Sequence, residues 1–212
     1  MPVSAWLVVG SLVGAAHARL VFRLVRAMPC ASNAMSPRQT AWILLFSITT
    51  GAVSAVAIGG ATSALSMVLL AAVSSLTVLQ APLDLLTRRL SRPVTLVALV
   101  GIVAVLLLDG TISRRFDEAL LAGAATTGVT CVYVLVHRAM PSALGWGDVL
   151  LVAPLTLAVG AASLEYVVMW QLAASAGAAV HGVMSRLVGA GSTIAFGPHL
   201  LLWAWLVVVL TL

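Results

Sequence analysis

The acidic side chains are few enough to weigh one at a time. Six occur in 212 residues: Asp84, Asp109, Asp117, Glu118, Asp148 and Glu165. Asp109, Asp117 and Glu118 share a polar stretch with Arg114 and Arg115 and read as solvated loop charges. Glu165 falls in or beside a short turn and reads as interfacial. Asp84 and Asp148 stand at the ends of long apolar runs. Asp84 closes one, before Thr-Arg-Arg-Leu-Ser-Arg-Pro, and Asp148 opens another, after Leu-Gly-Trp-Gly. Ionisable groups at such depth face a protein interior rather than lipid. Two carboxylates brought face to face cannot both ionise easily, so one is left as a base and the other as an acid. Such a pair can activate a water and protonate an amide nitrogen, which is the chemistry of peptide hydrolysis. Two plainer readings stand beside it. Asp148 suits a helix N-cap after Gly147. Asp84 suits an ion pair with Arg88, four residues on.

The remaining reactive residues point elsewhere or nowhere. All 11 basic residues are arginine, so chemistry that needs a lysine is excluded. Cys30 lies in a polar loop and Cys131 in an apolar run; they form no C-x-x-C pair, and they read as unpaired thiols, Cys131 as buried packing. His17, His137, His181 and His199 show no H-x-x-x-H spacing, so no metal site is expected; His137 and His181 fall where they can line a cleft. No G-x-S-x-G elbow, phosphate loop or dinucleotide fingerprint occurs, and no cofactor is expected.

The elements that must position the two aspartates are membrane helices. The chain is 62% apolar and 8% charged, with a mean hydropathy of +1.15. Soluble domains are about 45–50% apolar and about 25% charged. A span needs about 20 apolar residues, and the apolar segments fall at about 4–25, 41–59, 62–82, 94–108, 119–137, 148–161, 163–184 and 193–212. The expectation is an all-α polytopic bundle of about eight spans, one membrane-embedded domain over 1–212. The net charge of +5 reads as topology-setting arginine, not as a nucleic-acid surface. Arg19, Arg23, Arg26, Arg38, Arg88, Arg89, Arg92, Arg138 and Arg186 fall at one set of segment ends, which makes that side cytoplasmic and both termini external. It puts Asp84 and Asp148 at one level. Arg88, Arg89 and Arg92 suit anionic lipid headgroups. Trp6, Trp42, Trp203 and Trp205 read as interface anchors, and Trp146 as a wall or an anchor.

Three segments in order resemble the prepilin peptidases (type IV leader peptidases), membrane aspartic proteases of the G-x-G-D type. Asp84 with Arg88 and Arg89 is similar to the family's first motif, an Asp followed by a basic stretch and a proline. Gly145, Gly147 and Asp148 are similar to its G-x-G-D-x-K-L. Phe196, Gly197 and Pro198 are similar to its P-F-G-P. The resemblance covers roughly 62–212. It implies that Asp84 and Asp148 are the catalytic dyad. It implies that Gly145 and Gly147 lend backbone freedom, and that Phe196, Gly197 and Pro198 form a supporting break that shapes the cleft. It implies cleavage of the leader from prepilin or pseudopilin precursors at the cytoplasmic face of a bacterial inner membrane. Three positions depart from the pattern: Leu150 for the lysine, Ser91 for the proline, with Pro93 two residues later, and Ala195 for the first proline of P-F-G-P. The alternative is therefore a catalytically degenerate relative serving pilus or secretion assembly without cleavage. Longer family members carry C-x-x-C pairs between their first two helices and methylate the new pilin terminus. Here that linker carries Cys30 alone, so neither zinc nor methyl transfer is expected.

Overall fold

The computed structural model describes residues 2–26, 35–61, 63–114, 116–141, 144–189 and 195–212. Cys30 and Arg115 lie outside them. Among the described residues there are eight helices: α1 (Val3–Arg26), α2 (Pro37–Gly60), α3 (Ala64–Thr87), α4 (Arg92–Ser113), α5 (Phe116–Ala139), α6 (Trp146–Ala162), α7 (Leu164–Leu187) and α8 (Gly197–Thr211). Each answers to one apolar run in the sequence. Six are long and apolar enough to cross a membrane. The chain is a helical, multi-pass membrane bundle. The shorter pair, α6 with 17 residues and α8 with 15, is enclosed by its neighbours.

Helix ends follow local rules. Ser36 caps α2 in a reciprocal box with Gln39: the Gln39 N–H donates to Ser36 Oγ, and the Ser36 N–H donates to Gln39 Oε1. Ser63 caps α3 and Ser163 caps α7. Arg88 ends α3 in the left-handed region at φ 54°, and Arg114 ends α4 at φ 57°.

The core is built on α3, α6 and α8, with Leu69, Val73, Leu151, Leu155, Leu200 and Leu201 fully enclosed or nearly so. Trp170 of α7 is fully buried against them, and its Nε1–H donates to the Leu200 carbonyl at 2.8 Å. A buried indole N–H usually finds such a partner. Trp205 differs from its reading as an interface anchor: it packs on the core, and its Nε1–H donates to Ser54 Oγ of α2 at 2.9 Å. α1 and α2 pack closely along their length. A Cβ on Gly10 or Gly14 would run into the backbone of Gly51 or Ser47, so small residues set this separation. α5 lies at the rim, with Ala122 its one buried residue among those described. That explains why Cys131 is exposed rather than buried packing: its helix turns most of its surface outward.

Candidate active site

Asp84 sits in the last turn of α3, at 7% exposure. Two features of the local sequence put it there. Pro82 has no N–H, so the Val78 carbonyl loses its helical donor two residues before the aspartate. Four residues after it, the left-handed Arg88 closes the helix, its N–H donating to the Asp84 carbonyl at 2.9 Å. Arg88 also lies within electrostatic reach of the Asp84 carboxyl.

Asp148 lies in the first turn of α6 and is not its N-cap residue. The N-cap is Gly145, whose carbonyl accepts the Asp148 N–H at 3.1 Å. The Asp148 carboxylate bonds back to the Gly145 backbone and also reaches toward α8. The glycines of this motif differ from their expected role. Gly145 has φ −71°, open to any residue, and Gly147 is helical. They provide room instead. A Cβ at 145 would stand 3.3 Å from Asp148 Oδ2, and one at 147 would stand 3.2 Å from the Leu90 side chain.

The two carboxylates converge on α8. A Cβ built on Gly197 would lie 2.7 Å from Asp84 Oδ2 and 3.1 Å from Asp148 Oδ1. The two oxygens are thus no farther apart than those distances together, and Asp84 acts on Asp148 electrostatically. Glycine at 197 is what lets both approach the first turn of α8. Phe196 is its N-cap residue, its carbonyl accepting the N–H groups of His199 and Leu200, and Pro198 follows in the first turn, where a proline loses nothing. All the site residues expected from sequence therefore gather at one end of the bundle. At the same end lie the arginine-bearing termini of α1 to α5 and α7.

Three further groups frame the dyad, and two of them, Tyr133 and Gln80, are not visible in sequence as site residues. Tyr133 of α5 stacks on Phe196, ring centroids 6.4 Å apart, and its hydroxyl donates to Gln171 Oε1 at 2.6 Å. It lies within electrostatic reach of Asp148. Gln80, fully buried one turn before Asp84, clamps the turn into α4. Its Oε1 accepts the Ser91 N–H at 2.8 Å, and its Nε2 donates to the Ser91 carbonyl at 2.8 Å and to Thr95 Oγ1 at 2.9 Å. This clamp gives Ser91 a structural reason: a proline at 91 would have no N–H to offer Gln80. His137 holds the turn before Gly145 through the Leu144 carbonyl at 2.7 Å and leans on the Trp146 ring. An apolar cleft of about 370 Å³ flanks Asp84, lined by Trp42 and Phe46 of α2, Ala81 and Leu85 of α3, and Pro198 and Leu202 of α8.

No family model matches the chain, and no curated protein or solved structure matches it.

Proposed function

We propose that the chain is a membrane aspartic endopeptidase that removes the leader from prepilin-type precursors at the cytoplasmic face. The observation that carries this reading is the convergence of Asp84 and Asp148, from different helices, on the bare backbone of Gly197. The resemblance of the three motifs supplies the substrate class. The arginine distribution supports the cytoplasmic side, because arginine-rich ends stay inside.

The chemistry then follows from the pair. One carboxylate takes a proton from a water held between them, and the water oxygen bonds to the scissile carbonyl carbon. The other, protonated, gives its hydrogen to the carbonyl oxygen. Collapse of the resulting diol breaks the C–N bond as one hydroxyl returns its proton to the second carboxylate, and the proton taken from water passes from the first to the departing amine. The two carboxyls titrate as a unit, so the roles belong to the pair. A precursor helix must unwind at the cut, since its amides are already hydrogen-bonded. The cleft between α2, α3 and α8 is apolar along its lining and suits the helical part of such a substrate. Leu150 in place of a lysine favours the second reading, a non-cleaving assembly protein.

Co-expression with small pilin-like precursors from the same cell tests the reading. The expected result is loss of the leader mass from at least one precursor. A chain that captures precursors but leaves every one at full mass is the assembly protein instead.

A further inference from the structure

α3 and α4 are joined by a short turn, yet an apolar groove of about 480 Å³ stays open between them. Ala72 and Ser75 of α3 and Ala98 and Gly101 of α4 line it, and their small side chains leave the space. A Cβ on Gly101 would meet nothing within 4 Å. No ionisable side chain lines the groove. Along α4 the lining runs from Pro93 to Val105. That stretch of helix rises about 18 Å. Half of a hydrocarbon core about 30 Å thick is about 15 Å. The groove thus has the length of an acyl chain in one leaflet, measured from the arginine-bearing end of the bundle.

Positive charge stands at that end. Arg92 immediately precedes Pro93, Arg89 lies three residues earlier, and both are exposed. The turn that carries them is fixed to α3. Between them, the Ser91 N–H donates to Gln80 Oε1, and Gln80 Nε2 donates to the Ser91 carbonyl, both at 2.8 Å. Asp84 does not answer this charge from within the groove. It follows the groove residue Leu79 by five positions, about 140° around the helix, and its carboxylate turns toward Gly197 of α8. An occupant must therefore be apolar over most of its length and negative at one end. A phospholipid with an anionic headgroup has that form, whereas an uncharged helix would leave the arginines unanswered.

We propose that the α3–α4 groove binds an anionic phospholipid from the leaflet at the arginine-bearing end. Arg89 and Arg92 hold its phosphate, and one acyl chain lies along Ala98 and Gly101. The site stands independently of any protease activity.

The purified full-length chain in detergent is titrated with phosphatidylglycerol and, separately, with phosphatidylcholine of the same acyl chains. Bound lipid is counted by native mass spectrometry beside a thermal melt. One phosphatidylglycerol per chain is expected, with a melting temperature that rises with that lipid and far less with phosphatidylcholine. The double variant Arg89→Gln/Arg92→Gln should bind about twentyfold more weakly, at about fivefold for each arginine. Gly101→Leu keeps both arginines and grows into open space, so the fold is retained. It should weaken binding about tenfold by displacing about two methylenes of the acyl chain. Arg186→Gln, on α7 at the same end of the bundle, should bind as the parent does. Equal binding of the two lipids overturns the site. So does parent-level binding by the double variant or by Gly101→Leu, or a comparable loss in Arg186→Gln. A parent chain that takes up neither lipid overturns it as well, and a dimer that Gly101→Leu breaks would then give the groove to a second copy.

Discussion

Adding one methyl group at Gly197 perturbs the dyad and little else. The new carbon would stand 2.7 Å from Asp84 Oδ2, 3.1 Å from Asp148 Oδ1 and 3.4 Å from Asp84 Cγ, where ordinary contact begins near 3.4 Å. The nearest atoms are carboxylate oxygens at the tips of side chains, so the backbone of α8 need not move. The Asp84 carboxylate must withdraw by about half an ångström or rotate away. Fold stability then changes little, whereas the alignment of the two carboxyls is lost. A misplacement of about 1 Å at a reacting group costs about a hundredfold in rate. Gly197→Ala should therefore lower precursor cleavage roughly tenfold to a hundredfold, about 1.4–2.7 kcal/mol of transition-state stabilisation. The assay is the rate of precursor shortening by the purified chain, read beside its thermal melt. Gly123→Ala and Gly128→Ala are the controls, since a Cβ at either meets open space. A folded Gly197→Ala chain that cleaves at the parent rate would refute the convergence argument.

Other substitutions probe the frame. Gln80→Leu leaves the half-buried Ser91 N–H without its acceptor and should lower stability by about 1–3 kcal/mol, measured as an earlier unfolding transition in detergent. Ser91→Pro, which strands Gln80 Oε1, should act in the same direction although it matches the proline of the prepilin peptidase pattern; a rise in stability would show the clamp to be unimportant. Gly14→Val presses a branched side chain into the Ser47 backbone and should cost about 1–3 kcal/mol by forcing α1 from α2, seen in the same melt.

The helices were legible because lipid asks for long apolar runs and the chain contains eight. The two aspartates were legible because charge is so scarce that each acid could be placed by the run it ends. What could not be read was anything fixed by contact between helices. Gln80 looks like a stray polar residue within an apolar run, and its partner is the backbone of Ser91 across a turn. Tyr133 and the α3–α4 groove depend on how their helices are rotated, which hydropathy does not encode. The same blindness explains Cys131, Trp205 and the motif glycines. An apolar run does not say which face meets lipid, and a glycine does not say whether it serves φ or space. For Gly145 and Gly147 it is space.

Cleavage by the paired-carboxylate variants bears most directly on the proposal that Asp84 and Asp148 work as one unit. Parent, Asp84→Asn and Asp148→Asn chains, purified alike and matched for thermal stability, are each mixed with a precursor the parent shortens, and the product is weighed by mass spectrometry. A working dyad predicts leader loss with the parent and none with either variant, since an amide can neither take the proton from water nor share it. Leader loss at the parent rate in both variants would contradict it.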